Sequence, residues 1–124
     1  LNSIWEGAGN IMALDLLRAL RSTDVAAALA DELAPARGEH AAFDRIAQTL
    51  PGRIDGATGE AQARALARDI ALLVQAALLR RHSTDAVFAA FCATRLVTSS
   101  DVFGLLPPGH DVDALIRRAQ PVEA

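Results

Sequence analysis

A carboxylate lies between an aromatic residue and a glycine near the start of the sequence, in the order Trp5, Glu6, Gly7. An aromatic wall excludes water from a carboxylate, which raises its pKa and makes it a better general base at neutral pH. Glu6 is therefore a candidate catalytic base. A surface carboxylate in an ordinary loop has the same local sequence, so residue types and spacing leave both interpretations open.

Two glycines, Gly7 and Gly9, come just before Asn10, a residue type that favours the N-cap of a helix. We predict a tight turn here and a first helix from Asn10 or Ile11 to about Arg21. A helix start of this kind presents unpaired N–H groups that suit a phosphate. The closing glycine and preceding strand of a dinucleotide-binding fingerprint are missing, so spacing favours a plain capped turn.

All 12 basic residues of the chain are arginines, against 15 acidic residues and a net charge of -3. They include three groups on predicted helices: Arg64 with Arg68, Arg80 with Arg81, and Arg117 with Arg118. Arginines near helix C-termini stabilise the helix dipole. A nucleic-acid surface would need these groups to converge with Arg18 and Arg21, and the net acidity counts against it.

The other reactive side chains have no partners at a useful spacing. His40, His82 and His110 are far apart in sequence, so we predict exposed histidines and no metal site. Cys92 is the single cysteine and lies among apolar residues, which predicts a packed core thiol. A chain without a disulfide of its own fits a reduced, cytoplasmic setting.

Ala and Leu dominate the sequence, and no alternation of period two lasts long enough to predict a strand. The chain of 124 residues is therefore predicted to be all-α: an antiparallel helical bundle of about five to six helices. The helices after the first are predicted at 22–33, 40–50, 60–81, 84–97 and 111–119, with Val25, Leu29 and Leu33 facing inward on the second and Pro51 ending the third. No apolar run approaches the roughly 20 residues of a membrane span.

The stretch LNSIWEGAGNIMALDLLRAL, residues 1–20, resembles a segment near the C-terminal end of the acyl-CoA dehydrogenases. That family often has an aromatic residue, Glu, Gly, a small or hydroxyl residue and a polar residue leading into a long helix. The form N-S-I-W-E-G-x-G-N is most similar to the branch that includes the bacterial DNA-alkylation-response flavoproteins. Residues 22–124 resemble, in length and helical layout, the helical extension which that branch carries.

The resemblance implies that the parent protein uses FAD to oxidise an acyl-CoA thioester between its α and β carbons and passes the electrons to an acceptor. Glu6 would remove the α-proton, while Trp5 and Gly7 would contact the substrate. The residues implied to lie near FAD are Ala8, Gly9 and Asn10. Ala8 departs from the family, which commonly has Thr or Ser at that position. The family also implies a homo-oligomer.

The resemblance also bears on what this chain can do alone. The family builds its FAD site with a helical N-terminal domain and a β-domain, and neither fits in 124 residues. We therefore expect a single helical C-terminal domain, a fragment without FAD or activity by itself. Arg18 matches a DNA-contacting position of the alkylation-response branch in register. The alternatives are a non-enzymatic helical module that binds DNA or a protein partner, and an unrelated bundle with a chance match.

Overall fold

The computed structural model of the chain describes residues 8–97 and 109–121, with side chains from residue 11 onward in the first helix. Helices form throughout these two ranges and no strand occurs in them, so the predicted all-α fold is confirmed. The α-helices are α1 (Ala8–Leu20), α2 (Thr23–Leu33), α3 (Ala41–Ala47), α4 (Leu50–Gly56), α5 (Glu60–His82), α6 (Asp85–Arg95) and α7 (Val112–Ala119), with a short 3-10 helix at Ala34–Ala36.

The longest helix, α5, forms the centre of the bundle. Its residues Leu66, Ile70, Leu73 and Ala77 recur at helical spacing and are buried as one stripe. Helix α1 packs along α5, and Arg21, which directly follows α1, donates a hydrogen bond to the carbonyl of Ala57, three residues before α5 begins. The end of α1 therefore lies beside the start of α5, and the two helices run antiparallel.

The first helix begins earlier than predicted. It starts at Ala8, so Gly9 and Asn10 lie within its first turn and Asn10 is not the N-cap. Ala8 is a strong helix former, and the helix continues back through it despite the cost of Gly9. Gly9 is therefore helical and forms no turn, and Gly7 lies outside the described residues.

The second helix has the predicted ends, with Ser22 at its N-cap. Its inward face differs from the prediction, because Val25 is exposed while Leu33 is buried and Leu29 is partly buried. The inward stripe passes instead through Ala26, which lies one residue along from Val25 and so about 100° around the helix.

The predicted third helix, 40–50, is two short helices. Helix α3 ends at Ala47, and α4 begins at Leu50 with Pro51 in its first turn. The prediction that Pro51 ends a helix is wrong, because proline has no N–H to lose at a helix start and its fixed φ suits that position. Arg53 of α4 pairs with Asp69 of α5 at 2.7 Å and attaches the short helix to the centre of the bundle.

Side chains close the starts of three helices. The Ala42 N–H donates to Nδ1 of His40, the Val87 N–H to Oγ1 of Thr84, and the Ala114 N–H to Oδ1 of Asp111. Thr84 is therefore the N-cap of α6, at the predicted start of that helix. Within the two described ranges, none of the helices has the length and apolar character needed to cross a membrane.

Candidate functional site

The structure describes only part of the predicted site, from the start of α1 onward. Trp5, Glu6 and Gly7 lie outside the described residues, so their predicted roles remain predictions. The backbone of Ala8, Gly9 and Asn10 forms the first turn of α1, where N–H groups have no partner within the helix. The structure thus describes the helix that would carry the site, while the candidate base precedes it.

Helix α1, which follows the candidate site in the sequence, is fixed to the rest of the bundle by buried side chains and a hydrogen bond. Ala13, Leu17 and Leu20 are buried in the core, at spacings of four and three residues that form one stripe. At the far end, Nη2 of Arg21 donates to the Ala57 carbonyl at 2.7 Å. A helix fixed along its length and at its end can position the residues that come before it.

The outer face of α1 changes character along its length. Ile11 and Met12 are 54% and 63% exposed near its start, and Asp15 and Arg18 follow as a polar pair. Large apolar side chains exposed together are typical of surfaces that another chain or domain covers. The exposed apolar end of α1 is the end nearest the candidate site.

Arg18, the predicted DNA-contacting residue, lies on this outer face with its side chain 79% exposed. Its Nη1 donates to Oδ1 of Asp15 at 3.1 Å, an ion pair one turn apart on the same helix. Exposed pairs of this kind contribute little to stability. The side chain of Arg18 is therefore accessible, but a carboxylate beside it partly offsets its charge.

The arginines at the end of α5 face acidic partners. Arg80 pairs with Glu39 at 3.3 Å and with Asp85 at 3.2 Å, and Arg81 pairs with Glu32 at 3.4 Å. These pairs link the end of α5 to neighbouring segments, which is a structural use of the guanidinium groups. They account for this arginine pair without a nucleic-acid partner.

Two of the histidines are less exposed than predicted. His40 is partly buried, because its ring caps α3 and meets the ring of Phe88 edge-on at 6.4 Å. His110 is also partly buried, and His82 is exposed at the end of α5. Within residues 8–97 and 109–121, the His, Cys, Asp and Glu side chains form no group of three that could hold a metal.

The prediction of a core thiol is confirmed. Cys92 is fully buried in α6, and burial raises the pKa of its thiol to about 12. The thiolate is the nucleophilic form of cysteine, so this side chain is unreactive at neutral pH.

Comparison with known proteins supports the resemblance inferred from the first 20 residues. The chain is 31% identical over 103 residues to a putative acyl-CoA dehydrogenase, AidB, of Escherichia coli strain K12. This match covers 82% of the chain and 19% of the relative, so the chain spans about a fifth of that protein's length. Since only 21 residues precede Ser22, most of the match lies beyond the quoted motif and within the helical region.

The predicted resemblance to an acyl-CoA dehydrogenase is thereby confirmed at the level of sequence similarity. No protein-family model matches the chain. No solved structure matches it either.

Proposed function

We propose that this chain is the helical C-terminal part of a larger FAD-dependent acyl-CoA dehydrogenase, and that it completes the flavin and substrate site of that enzyme. The observation that carries the proposal is the similarity over 103 residues to a putative acyl-CoA dehydrogenase of which the chain spans 19%. In this proposal residues 1–21 form the site segment and its helix, and residues 22–124 form a helical extension.

Glu6 is the proposed base of the reaction. Its carboxylate takes the α-proton of the acyl-CoA thioester, and its backbone N–H donates to the thioester carbonyl and so stabilises the charge that develops there. Gly7 has no side chain, so backbone and substrate can approach closely. Trp5 excludes water from the carboxylate, which raises its pKa toward the working pH. FAD, when bound, would supply the acceptor for the hydride that leaves the β-carbon.

The start of α1 is suited to contact FAD. The first N–H groups of a helix have no intrahelical partner and favour anionic oxygens such as those of a diphosphate, and Gly9 and Asn10 lie in that turn. Ala8 provides no hydroxyl, so the contact from this residue is limited to its backbone. The buried stripe of α1 supports the proposal because it holds this turn in one place.

The parent enzyme is proposed to be a cytoplasmic homo-oligomer. Exposed Ile11 and Met12 support the larger assembly, because a second subunit or the remaining domains would cover them. The acyl-CoA and an electron acceptor are the proposed partners of the parent, and the chain by itself is proposed to be inactive.

A helical module that binds DNA or a protein partner is the alternative. The exposed side chain of Arg18 favours it, and Arg64, Arg117 and Arg118 are also exposed. The net charge of -3 and the ion pairs of Arg80 and Arg81 count against it. Binding through phosphate contacts would weaken steeply as salt is raised, which gives this alternative a direct test.

The experiment uses the parent protein, with this chain joined to the domains that precede it. Purified protein is examined for flavin absorbance and then mixed anaerobically with a panel of acyl-CoAs, and flavin bleaching is followed. Glu6→Gln should abolish bleaching while flavin stays bound, because the amide cannot accept the α-proton. Glu60→Gln is the matched control, since Glu60 lies at the start of α5, beside the opposite end of α1.

Bleaching that Glu6→Gln abolishes and Glu60→Gln preserves would support Glu6 as the base. Bleaching that persists in Glu6→Gln would refute that assignment and point to a base on another segment. A parent protein that binds no flavin would refute the proposed function as a whole.

A further inference from the structure

A cavity of about 590 Å³ lies between α2 and α4, at the end of α1 away from the candidate site. Its walls are mainly apolar, and Leu29, Leu33, Leu50 and Ile54 supply most of the bulk. Small-molecule sites commonly have this size, with apolar walls and a few polar groups. Ala8, Gly9, Asn10 and Arg18 do not line it, so the cavity is separate from the described part of the proposed dehydrogenase site.

Arg21 provides a positioned cation at one end of this cavity. Its Nη2 donates to the Ala57 carbonyl at 2.7 Å and its Nε donates to the Ile54 carbonyl at 3.5 Å. These two bonds orient the guanidinium and leave Nη1 without a partner among the described residues. A held guanidinium with free N–H groups is well suited to a carboxylate.

The start of α2 adds backbone donors at the same end. Ser22 and Thr23 line the cavity beside Arg21, and Ser22 makes no side-chain hydrogen bond to the helix that it precedes. The first N–H groups of α2 are therefore not capped by a side chain. These N–H groups favour an anion, an effect that Asp24 in the same turn partly offsets, while the rest of the cavity favours an apolar chain.

The charged residues that line the cavity indicate which ligand charge it favours. Two guanidinium groups, Arg21 and Arg37, and one carboxylate, Asp55, line the cavity, which gives it a net charge of one positive unit. The Arg37 side chain is 51% exposed and pairs with Asp44 at 3.9 Å, so Arg21 is the cation of this lining without a carboxylate partner among the described residues. A ligand with one negative charge matches this lining better than a neutral or cationic one.

We propose that the cavity between α2 and α4 binds an aliphatic monocarboxylate. The carboxylate contacts Arg21 and the start of α2, and the chain lies along the apolar faces of the two helices. Helix α2 has 11 residues and is therefore about 16 Å long, which suits a chain of medium length. The site requires neither FAD nor acyl-CoA, so it stands or falls independently of the proposed dehydrogenase function.

The test titrates the chain with decanoate, decanol and decyltrimethylammonium, each below its micelle concentration. Calorimetry measures affinity, and amide chemical shifts locate the binding. Decanoate should bind saturably and shift the amides of Ala26, Leu29 and Ile54. Decanol should bind about tenfold more weakly, because it forms no charge-assisted hydrogen bond. Decyltrimethylammonium should not bind at these residues.

Variants distinguish binding of decanoate in the cavity from binding elsewhere on the surface. Ala30→Trp fills the cavity and should abolish decanoate binding, whereas Ala27→Trp is the matched control, since Ala27 is on the same helix but does not line the cavity. Arg21→Gln should weaken decanoate about tenfold, and Arg21→Lys should restore part of the affinity. Circular dichroism verifies that each variant is folded, and Ala26→Leu replaces Ala30→Trp if that variant is not.

Several results would overturn the proposal. These are absence of saturable decanoate binding, equal affinity for decanoate and decanol, shifts confined to residues outside the cavity, and undiminished binding in the folded cavity-filling variant.

Discussion

Cys92 provides a sharp test of the core at the residue scale. Burial raises the pKa of its thiol from 9.0 to about 12 in the folded chain. The sequence contains no lysine and no tyrosine, and arginine stays charged throughout this range, so no other side chain titrates in it. In the unfolded chain the thiol loses its proton first, which stabilises the unfolded state as pH rises.

We therefore expect the free energy of unfolding to fall between about pH 9 and pH 12, by about 1.4 kcal/mol per pH unit within the window. Urea unfolding at a series of pH values measures it. Cys92→Ala should be less stable at every pH, because it leaves a cavity, but its stability should not change across the window. Equal slopes for the two proteins would show that another change drives the alkaline loss.

Arg21 shows what residue-level reasoning from sequence could not find. Its two carbonyl partners are 33 and 36 residues away, and no local pattern indicates such a contact. Cys92, by contrast, was predictable as a core thiol because its apolar neighbours lie at helical spacing. The burial of a side chain that belongs to a periodic apolar stripe can be predicted from sequence. A contact between residues far apart in the sequence can be identified only in the folded structure.

At the scale of helices and turns, two glycines with different backbone conformations provide a matched test of how backbone preference affects stability. Gly38 has a φ of +81°, in the left-handed region, while Gly52 lies inside α4. A Cβ at either position would meet no atom within 4 Å, so only backbone preference differs between them. Gly38→Ala should lose about 1 kcal/mol of stability, and Gly52→Ala should gain about 0.5–1 kcal/mol.

Chemical denaturation measures the free energy of unfolding of the two variants and of the parent chain. Opposite signs are expected, with Gly38→Ala retaining the bond from the residue 38 N–H to Oδ1 of Asp44, which is 2.9 Å in the parent chain. A stabilising Gly38→Ala would mean that the turn after the 3-10 helix adopts another conformation in solution.

The helices most accurately predicted are those whose ends carry distinct residue types. Helix α5 lies between Gly59 and Ser83 and keeps one apolar stripe over its length, so its limits were predicted within one residue. The segment 40–56 was predicted less well, because Pro51 favours a helix start as readily as it disfavours a helix interior. Tertiary packing of Leu50 and Ile54 decides between the two.

At the scale of the whole molecule, the apolar surface at the start of α1 remains uncovered. Ile11 and Met12 are both more than half exposed, on a helix whose opposite stripe is fully buried against the core. Exposed apolar side chains that lie together favour association, because each contact removes them from water. The proposed role of the chain in a larger oligomer would cover this surface with protein.

We expect the isolated chain to self-associate through this surface. Sedimentation equilibrium should show a mass that rises with concentration, and Ile11→Gln with Met12→Gln should weaken the association about tenfold or more, since two side chains lose their apolar burial. Val25→Gln is the control, because Val25 is exposed on α2 and outside this surface. A strict monomer at high concentration, or equal weakening by Val25→Gln, would contradict the assignment of the start of α1 as the contact surface. A dimer that the double variant disrupts would place the contact at the start of α1, the helix that directly follows the proposed base in the sequence.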